Sequence, residues 1–351
     1  MISLEEMIKL DPYSFDAQEK NQLFDDYMAQ LSASHYNHCK EYKRICDILG
    51  EETPALPVRL FKTYELLSVP KEEIVKTMTS SGTTGQAVSK IFLDKKTASN
   101  QTKVLSKIAS NFLGSKRLPM LILDTKDVIK DRSLFSARGA GILGFSMLGY
   151  DITFALDEKM EMNLETIELF LEKHKEETIL LFGFTYMIWK HFYQVLINKG
   201  KKLDLRNAIM LHGGGWKKLI EESVDNEIFK EKLGEVCGIR KVFNYYGMVE
   251  QTGSIYMECE CGRLHASNFS DIIIKNPIDF SDCSIGEMGL VTLMSLIPES
   301  YPGHYILTED LGELIGEDDC PCGRLGKTFK IYGRIKNAEV RGCSDTYANK
   351  N

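Results

Sequence analysis

Apolar positions recur at helix-like spacing early in the chain, at Phe15, Leu23, Phe24, Tyr27 and Leu31 and again at Tyr42, Ile45 and Leu49. Repeats of three and four residues bury one face of a helix, so a helical region packed on the core is predicted over residues 1–68. Pro54, Pro57 and Pro70 break that pattern. The hydrophobicity then changes to short unbroken runs: 118–124 (L-P-M-L-I-L-D), 178–184 (T-I-L-L-F-G-F), 208–211 (A-I-M-L) and 241–246 (K-V-F-N-Y-Y). Helical stretches are predicted between the runs, over 97–110, 165–175 and 187–199. Apolar strands interleaved with helices imply a largely parallel sheet covered on both faces, hence an α/β core over 69–255. After residue 255 the runs shorten, as in 271–275 and 289–294, and Gly, Pro and Asp turns multiply. A smaller β-rich subdomain over 256–335 and a tail over 336–351 complete the expected division.

Composition narrows the class without changing this picture. With 43% hydrophobic and 26% charged residues and 9 prolines, the 351-residue chain is an ordinary globular protein. Its net charge of −7 speaks against a nucleic-acid partner, and its lysine clusters sit among acidic residues, as on solvated helix faces. The acidic first residues lack the apolar stretch of a signal peptide, and the strongest apolar run, 179–189, is too short to span a membrane. The expectation is a cytoplasmic protein with its nine cysteines reduced.

Residues 79–85 (T-S-S-G-T-T-G) crowd hydroxyls and glycines between 75–78 (V-K-T-M) and the β-like 89–93. Glycine lets backbone approach a ligand closely, and hydroxyls with free N–H groups can bond several phosphate oxygens at once. The order is neither G-x-x-x-x-G-K-[ST] nor the dinucleotide fingerprint. Thr79, Ser80, Ser81, Gly82, Thr83, Thr84 and Gly85 are therefore candidates for a phosphate cradle of another kind, against the reading of an ordinary polar loop.

Distant segments agree with the cradle. In 244–250 (N-Y-Y-G-M-V-E), Tyr245 and Tyr246 can stack on a base, Gly247 permits a tight turn, and Glu250 can hold Mg²⁺ beside a triphosphate. Gly213, Gly214 and Gly215 follow a strand in L-H-G-G-G-W and suit backbone laid against a flat ring. Asp310 in T-E-D-L-G can accept from ribose hydroxyls, and Arg334 in I-Y-G-R-I-K-N can contact ribose or phosphate. Phe184, Thr185 and His212 are candidates to line an acid pocket, core packing being the alternative.

Two near-identical turns, C-E-C-G-R-L at 259–264 and C-P-C-G-R-L at 320–325, bring in a second chemistry. Thiolates of Cys259, Cys261, Cys320 and Cys322 suit a structural tetrahedral Zn²⁺, with His265 an available substitute. Reduced cysteines in two similar turns are the alternative.

In this order and at these separations the segments resemble the adenylate-forming superfamily of acyl-CoA synthetases, nonribosomal adenylation domains and luciferases. The hydroxyl-rich loop is similar to its phosphate loop, the glycine run to its adenine-flanking turn, and Y-G-x-x-E to its Tyr-Gly-x-Thr-Glu segment with Val249 replacing threonine. The doubled serine and the paired C-x-C-G-R turns resemble the phenylacetate-CoA-ligase branch. P-V-R-L-F-K at 57–62 and R-G-C-S-D at 341–345 resemble still more closely the acyl-protein synthetases (LuxE-type) of bacterial fatty-acid reductase systems.

The resemblance implies an adenylate-forming core binding ATP and Mg²⁺, with loop hydroxyls such as Thr83 and the carboxylate of Glu250 serving phosphoryl transfer. It implies a fatty acid, of long chain by the family, activated to acyl-AMP. It further implies transfer to Cys343 of the same chain, a thiolate being the natural acceptor from an acyl-AMP, and an acyl reductase partner. Two departures stand out. Gln86-Ala87-Val88 replaces the usual Pro-Lys after the loop, leaving Lys90 or Lys336 for the phosphate lysine. Residue 351 follows soon after Gly333-Arg334, where relatives carry a C-terminal lid, so a core without its lid is expected. An acyl- or aryl-CoA (or carrier-protein) ligase and a nucleotide-binding scaffold are the alternatives; a homo-oligomer is compatible with either.

Overall fold

The computed structural model describes residues 2–80, 87–130, 137–216 and 222–335. They form two compact units, one from the described residues up to 112 together with those from 246 onward, the other from those between 113 and 245. The described N-terminal helices belong to the same unit as the β-rich residues.

The continuous unit is built on the parallel sheet that the apolar runs predict. Its strands lie in the order Gly149–Leu156, Leu118–Thr125, Ile179–Phe184, Ala208–Gly213, Lys241–Tyr246, and every neighbouring pair is parallel. Every residue of Ile179–Phe184 and Ala208–Gly213 is buried, as expected for strands covered on both faces. Helices Ala137–Ser146, Leu164–Lys173 and Asn226–Cys237 lie between strands, as does a helical stretch from Thr185 to Asn198 interrupted by a π-turn at Trp189–Tyr193. Asp124, at the end of its strand, holds Arg138 in a fully buried ion pair.

The other unit is mainly antiparallel. Strands Ser270–Lys275, Met288–Ser295, Tyr305–Glu317, Lys327–Arg334, Leu264–His265 and Tyr256–Glu258 pair in that order, and Leu56–Pro57 joins Tyr305–Glu317 in parallel. Tyr256, Leu264, Ile272, Ile274, Val291, Leu293 and Phe329 form its core. Ile74–Thr79 and Lys90–Asp94 make a separate antiparallel ribbon. Helix Ala17–His38 opens with a capping box from Asp16 and Glu19 and buries Leu23, Phe24, Met28 and Leu31. Its Lys20, only 2% exposed, lies 3.3 Å from Asp271, which also takes Lys327 at 2.6 Å, so the helix is fastened to the β-rich strands by a buried charge cluster. Among the described residues no helix is long and apolar enough to cross a membrane.

Candidate functional site

Strand Tyr305–Glu317 is irregular where Asp310 sits. Leu290 faces Leu311 and Thr292 faces Leu307, so Thr308, Glu309 and Asp310 together stand opposite Val291 alone. Such a bulge re-aims side chains. Thr308 fixes it by donating from Oγ1 to the Val291 carbonyl at 2.7 Å and accepting from the Asp310 N–H at 3.1 Å. The partner strand is irregular too: Asp310 faces Arg334 and Leu311 faces Gly333, but Gly312 faces Ile331, leaving Tyr332 extra. Gly333 has φ +120°, a backbone region nearly closed to other residues, which accounts for the glycine before Arg334.

These irregularities gather three sequence-predicted residues. Tyr246 donates its hydroxyl to Asp310 Oδ2 at 2.6 Å, and Arg334 Nε lies 3.4 Å from Asp310 Oδ1. Burial and the Asp310 carboxylate both push the Tyr246 hydroxyl well above its ordinary pKa, so it stays protonated and donates. Its ring rests on Tyr256 and Phe329. Arg59 adds an ion pair to Glu309 inside the bulge, where the Leu56–Pro57 strand delivers it. The sequence gives Arg59 no role beyond its place in P-V-R-L-F-K, because its partner is fixed only by parallel pairing with a strand about 250 residues away.

Glu250 lies in the short turn Val249–Gln251 and is 4% exposed. Tyr301 donates to the Glu250 carbonyl at 2.9 Å, and Gln251 Nε2 donates to the carbonyls of Gly303 at 2.9 Å and Leu293 at 3.2 Å. Burial pushes the Glu250 carboxyl up, opposed by the Ser89 hydroxyl and more weakly by Arg334. No lysine or arginine among the described residues forms an ion pair with it. A buried carboxylate is an oxygen ligand that fits a hard divalent cation such as Mg²⁺.

Thr79 closes the ribbon strand, and Ser80 exchanges bonds with Ser89: its N–H reaches the Ser89 carbonyl at 3.1 Å and its Oγ accepts the Ser89 N–H at 2.9 Å. Ser81, Gly82, Thr83, Thr84 and Gly85 lie outside the described residues, as do Lys336 and Cys343. Lys90 opens the second ribbon strand, exposed.

In the parallel unit the glycine run leaves the buried strand Ala208–Gly213. A Cβ on Gly213 would stand 2.5 Å from the Tyr245 ring, so the aromatic covers backbone directly. Gly214 has φ +78° and meets Phe184. His212 is 1% exposed, and burial lowers its pKa to about 3, so it is neutral at ordinary pH. Its Nδ1 lies 2.9 Å from Thr185 Oγ1, which is 3.2 Å from the Gly213 carbonyl. Both contacts are satisfied when Thr185 donates to that carbonyl and His212 Nδ1–H donates to Thr185. His212 Nε2 then carries no proton, and it has no hydrogen-bond partner among the described residues. Phe184, Thr185, His212, Gly213, Gly214 and Tyr245 are thus one packed group.

The paired turns depart from the expected four-cysteine set. Cys259, Cys320 and Cys322 draw together with His265, while Cys261 is exposed and outside the group. Cys261 occupies the tip of its turn and contributes its N–H to Cys259 Sγ at 3.4 Å instead of its own sulfur. The described cysteines form no disulfide.

Known proteins bear on the fold and on the family. A 2-hydroxyisobutyryl-CoA ligase, solved in an open conformation with 2-HIB-AMP and CoA, superposes with a TM-score of 0.69 over 94% of this chain and 79% of its own, at 14% identity. A long-chain-fatty-acid-CoA ligase from Archaeoglobus fulgidus gives a TM-score of 0.51 over 76% and 52%, at 13% identity. Likeness at such identities concerns the fold: this is an α/β chain structurally similar to the core of these ligases. By sequence, the long-chain-fatty-acid–luciferin-component ligase of Aliivibrio fischeri is 25% identical over 98% of this chain and 92% of its own. That of Vibrio harveyi is 23% identical over 95% and 89%. The family described as "Acyl-protein synthetase, LuxE" matches residues 2–351, and the chain belongs to that family of ligases.

Proposed function

We propose that the protein activates a long-chain fatty acid with ATP and passes the acyl group to its own Cys343, for consumption by an acyl reductase. The observation that carries the nucleotide part is the assembly of Tyr246, Asp310 and Arg334, three segments far apart in sequence, at one doubly bulged strand end. The names of the similar luciferin-component ligases support the substrate.

The acid's carboxylate attacks the α-phosphorus of ATP. A carboxyl–phosphorus bond forms as the bond to the β-phosphate oxygen breaks, releasing pyrophosphate. Asp310 accepts from the ribose hydroxyls, held in place by Tyr246, while Arg334 contacts ribose or phosphate. The Thr79 to Gly85 hydroxyls and N–H groups, Thr83 among them, grip the phosphates. Gly213, Gly214 and Gly215 serve the adenine, and Phe184, Thr185 and His212 the acyl chain. Glu250 would hold Mg²⁺, which would supply charge neutralisation for the adenylyl group in transfer and the departing pyrophosphate. The Cys343 thiolate then attacks the acyl carbonyl carbon, and the bond to AMP breaks with AMP leaving. His212, neutral and buried, has no proton to remove in this scheme. A zinc ion at the cysteine turns would act on structure alone.

Incubation with labelled palmitate and ATP, followed by denaturing electrophoresis, tests the scheme. Hydroxylamine-labile label on the chain is expected, and Cys343→Ser should abolish it while ATP–pyrophosphate exchange continues. Label that survives the substitution removes Cys343 from the role. Exchange without protein label points to a soluble thiol acceptor, and absence of exchange to a nucleotide-binding scaffold.

A further inference from the structure

We infer that the chain holds a structural zinc ion between Cys259, His265, Cys320 and Cys322, three thiolates and one imidazole, with Cys261 left out. Their donor atoms all lie within 4.8 Å of one another. Tetrahedral zinc, with Zn–S about 2.3 Å and Zn–N about 2.0–2.1 Å, separates two sulfurs by about 3.8 Å and sulfur from nitrogen by about 3.6 Å. Cys259 Sγ and Cys320 Sγ are 3.7 Å apart, and Cys322 Sγ is 3.4 Å from His265 Nε2. Either distance alone is ordinary contact. Four soft donors converging on edges of this length are not ordinary, and a disulfide, about 2.05 Å between sulfurs, does not fit the sulfur separation.

The two turns are built alike for the task. Gly262 and Gly323 both adopt positive φ, +74° and +80°, and each returns its N–H at 3.0 Å to the carbonyl of the first cysteine of its turn. Tight turning of this kind folds a C-x-C segment around its first sulfur, which in the first turn receives the Cys261 N–H at 3.4 Å. His265 supplies what Cys261 does not. It is 0% exposed, its ring meets Tyr13 edge-on, and it sits on the short strand that follows the first turn.

Donor chemistry selects the metal class. Thiolates and imidazole without a carboxylate suit zinc and exclude magnesium or calcium. Four protein donors complete a tetrahedron and leave no open position, the mark of a structural ion. Location agrees. The second turn joins strands Tyr305–Glu317 and Lys327–Arg334 at the end where Glu317 faces Lys327, whereas Asp310 faces Arg334 seven residues along, roughly 23 Å of strand away. The ion would fasten the turn after Tyr256–Glu258 to this hairpin. The inference does not depend on the acyl-transfer reading, since its readout is metal content and not activity.

The full chain, purified reduced and without chelator, should contain about one zinc per molecule by mass spectrometry, a complete tetrahedral set binding one ion. Cys259→Ser and Cys320→Ser should lower the content about tenfold or more, whereas Cys261→Ser should leave it intact and His265→Cys should retain it. Cobalt-substituted wild-type protein should show the intense visible bands and sulfur-to-cobalt charge transfer of a tetrahedral thiolate site, without recourse to any variant. A folded wild-type chain that takes up neither metal would overturn the inference. So would a weak octahedral cobalt spectrum, or loss of zinc on Cys261→Ser equal to that on Cys259→Ser.

Discussion

At the scale of single residues, Asp310 is the pivot of the nucleotide proposal, and its neighbours act through it. The Tyr246 hydroxyl fixes one carboxylate oxygen and Arg334 approaches the other. A hydrogen bond to a charged group contributes about 1.5–3 kcal/mol. Tyr246→Phe should therefore raise the KM for ATP in pyrophosphate exchange about tenfold, and Asp310→Ala about a hundredfold. If Tyr246 works by holding Asp310, the double variant should be no worse than Asp310→Ala; additive losses would mean that it contacts the nucleotide itself. Identity of the aromatic and the carboxylate was legible in the sequence, because strand-end Tyr-Gly and Thr-x-Asp carry their chemistry locally. Their mutual contact was not, since it depends on register across 64 positions.

At the scale of elements, the glycine run is shaped by its partner ring. Gly213→Ala would place a methyl group 2.5 Å from Tyr245, forcing the ring or the strand to move. A cost of about 1–3 kcal/mol in unfolding free energy is expected, read by urea titration. Gly215→Ala, with nothing within 4 Å, should leave stability unchanged and serves as the control. The buried strands were legible because their apolar runs are short, bounded by turn residues and interleaved with helical stretches. Gly149–Leu156 was not: it is a half-exposed edge strand with Asp151 at positive φ, and its polar residues hide the pattern. Helix Asn226–Cys237 also went unread, though Asp225 caps it and Gly238 ends it in the left-handed region. The bulge at Thr308 to Asp310 belongs to pairing with Val291 and has no sequence signal of its own.

At the scale of the molecule, buried histidines make both units sensitive to acid. Burial lowers His35 to about 4 and His212 to about 3, and carries His304 well below 6.5. His35 is bonded to Ser68 and to the Pro298 carbonyl, and His304 to Ser32, without a carboxylate to favour the charged ring. Folded pKa values below the ordinary 6.5 mean that the unfolded chain takes up protons first as pH falls. Stability is therefore full above about pH 6.5 and is lost on descent towards pH 4, by about 2 kcal/mol each for His35 and His212 at about pH 5. Urea midpoints at about pH 7.5 and pH 5 should show this fall, and His35→Gln should shrink it; an unchanged fall would assign the acid sensitivity elsewhere.

The discontinuous unit has a consequence for synthesis. Residues 113–245 form one continuous stretch and can close on themselves as soon as they leave the ribosome. Helix Ala17–His38 cannot, because Lys20 reaches the Ala266 carbonyl 246 positions later in the chain. At 5–20 residues per second, that is a wait of roughly 10–50 s before Lys20 can reach this partner. Made early, this helix is among the last elements to complete its packing, because its Lys20 anchor waits for the β-rich residues.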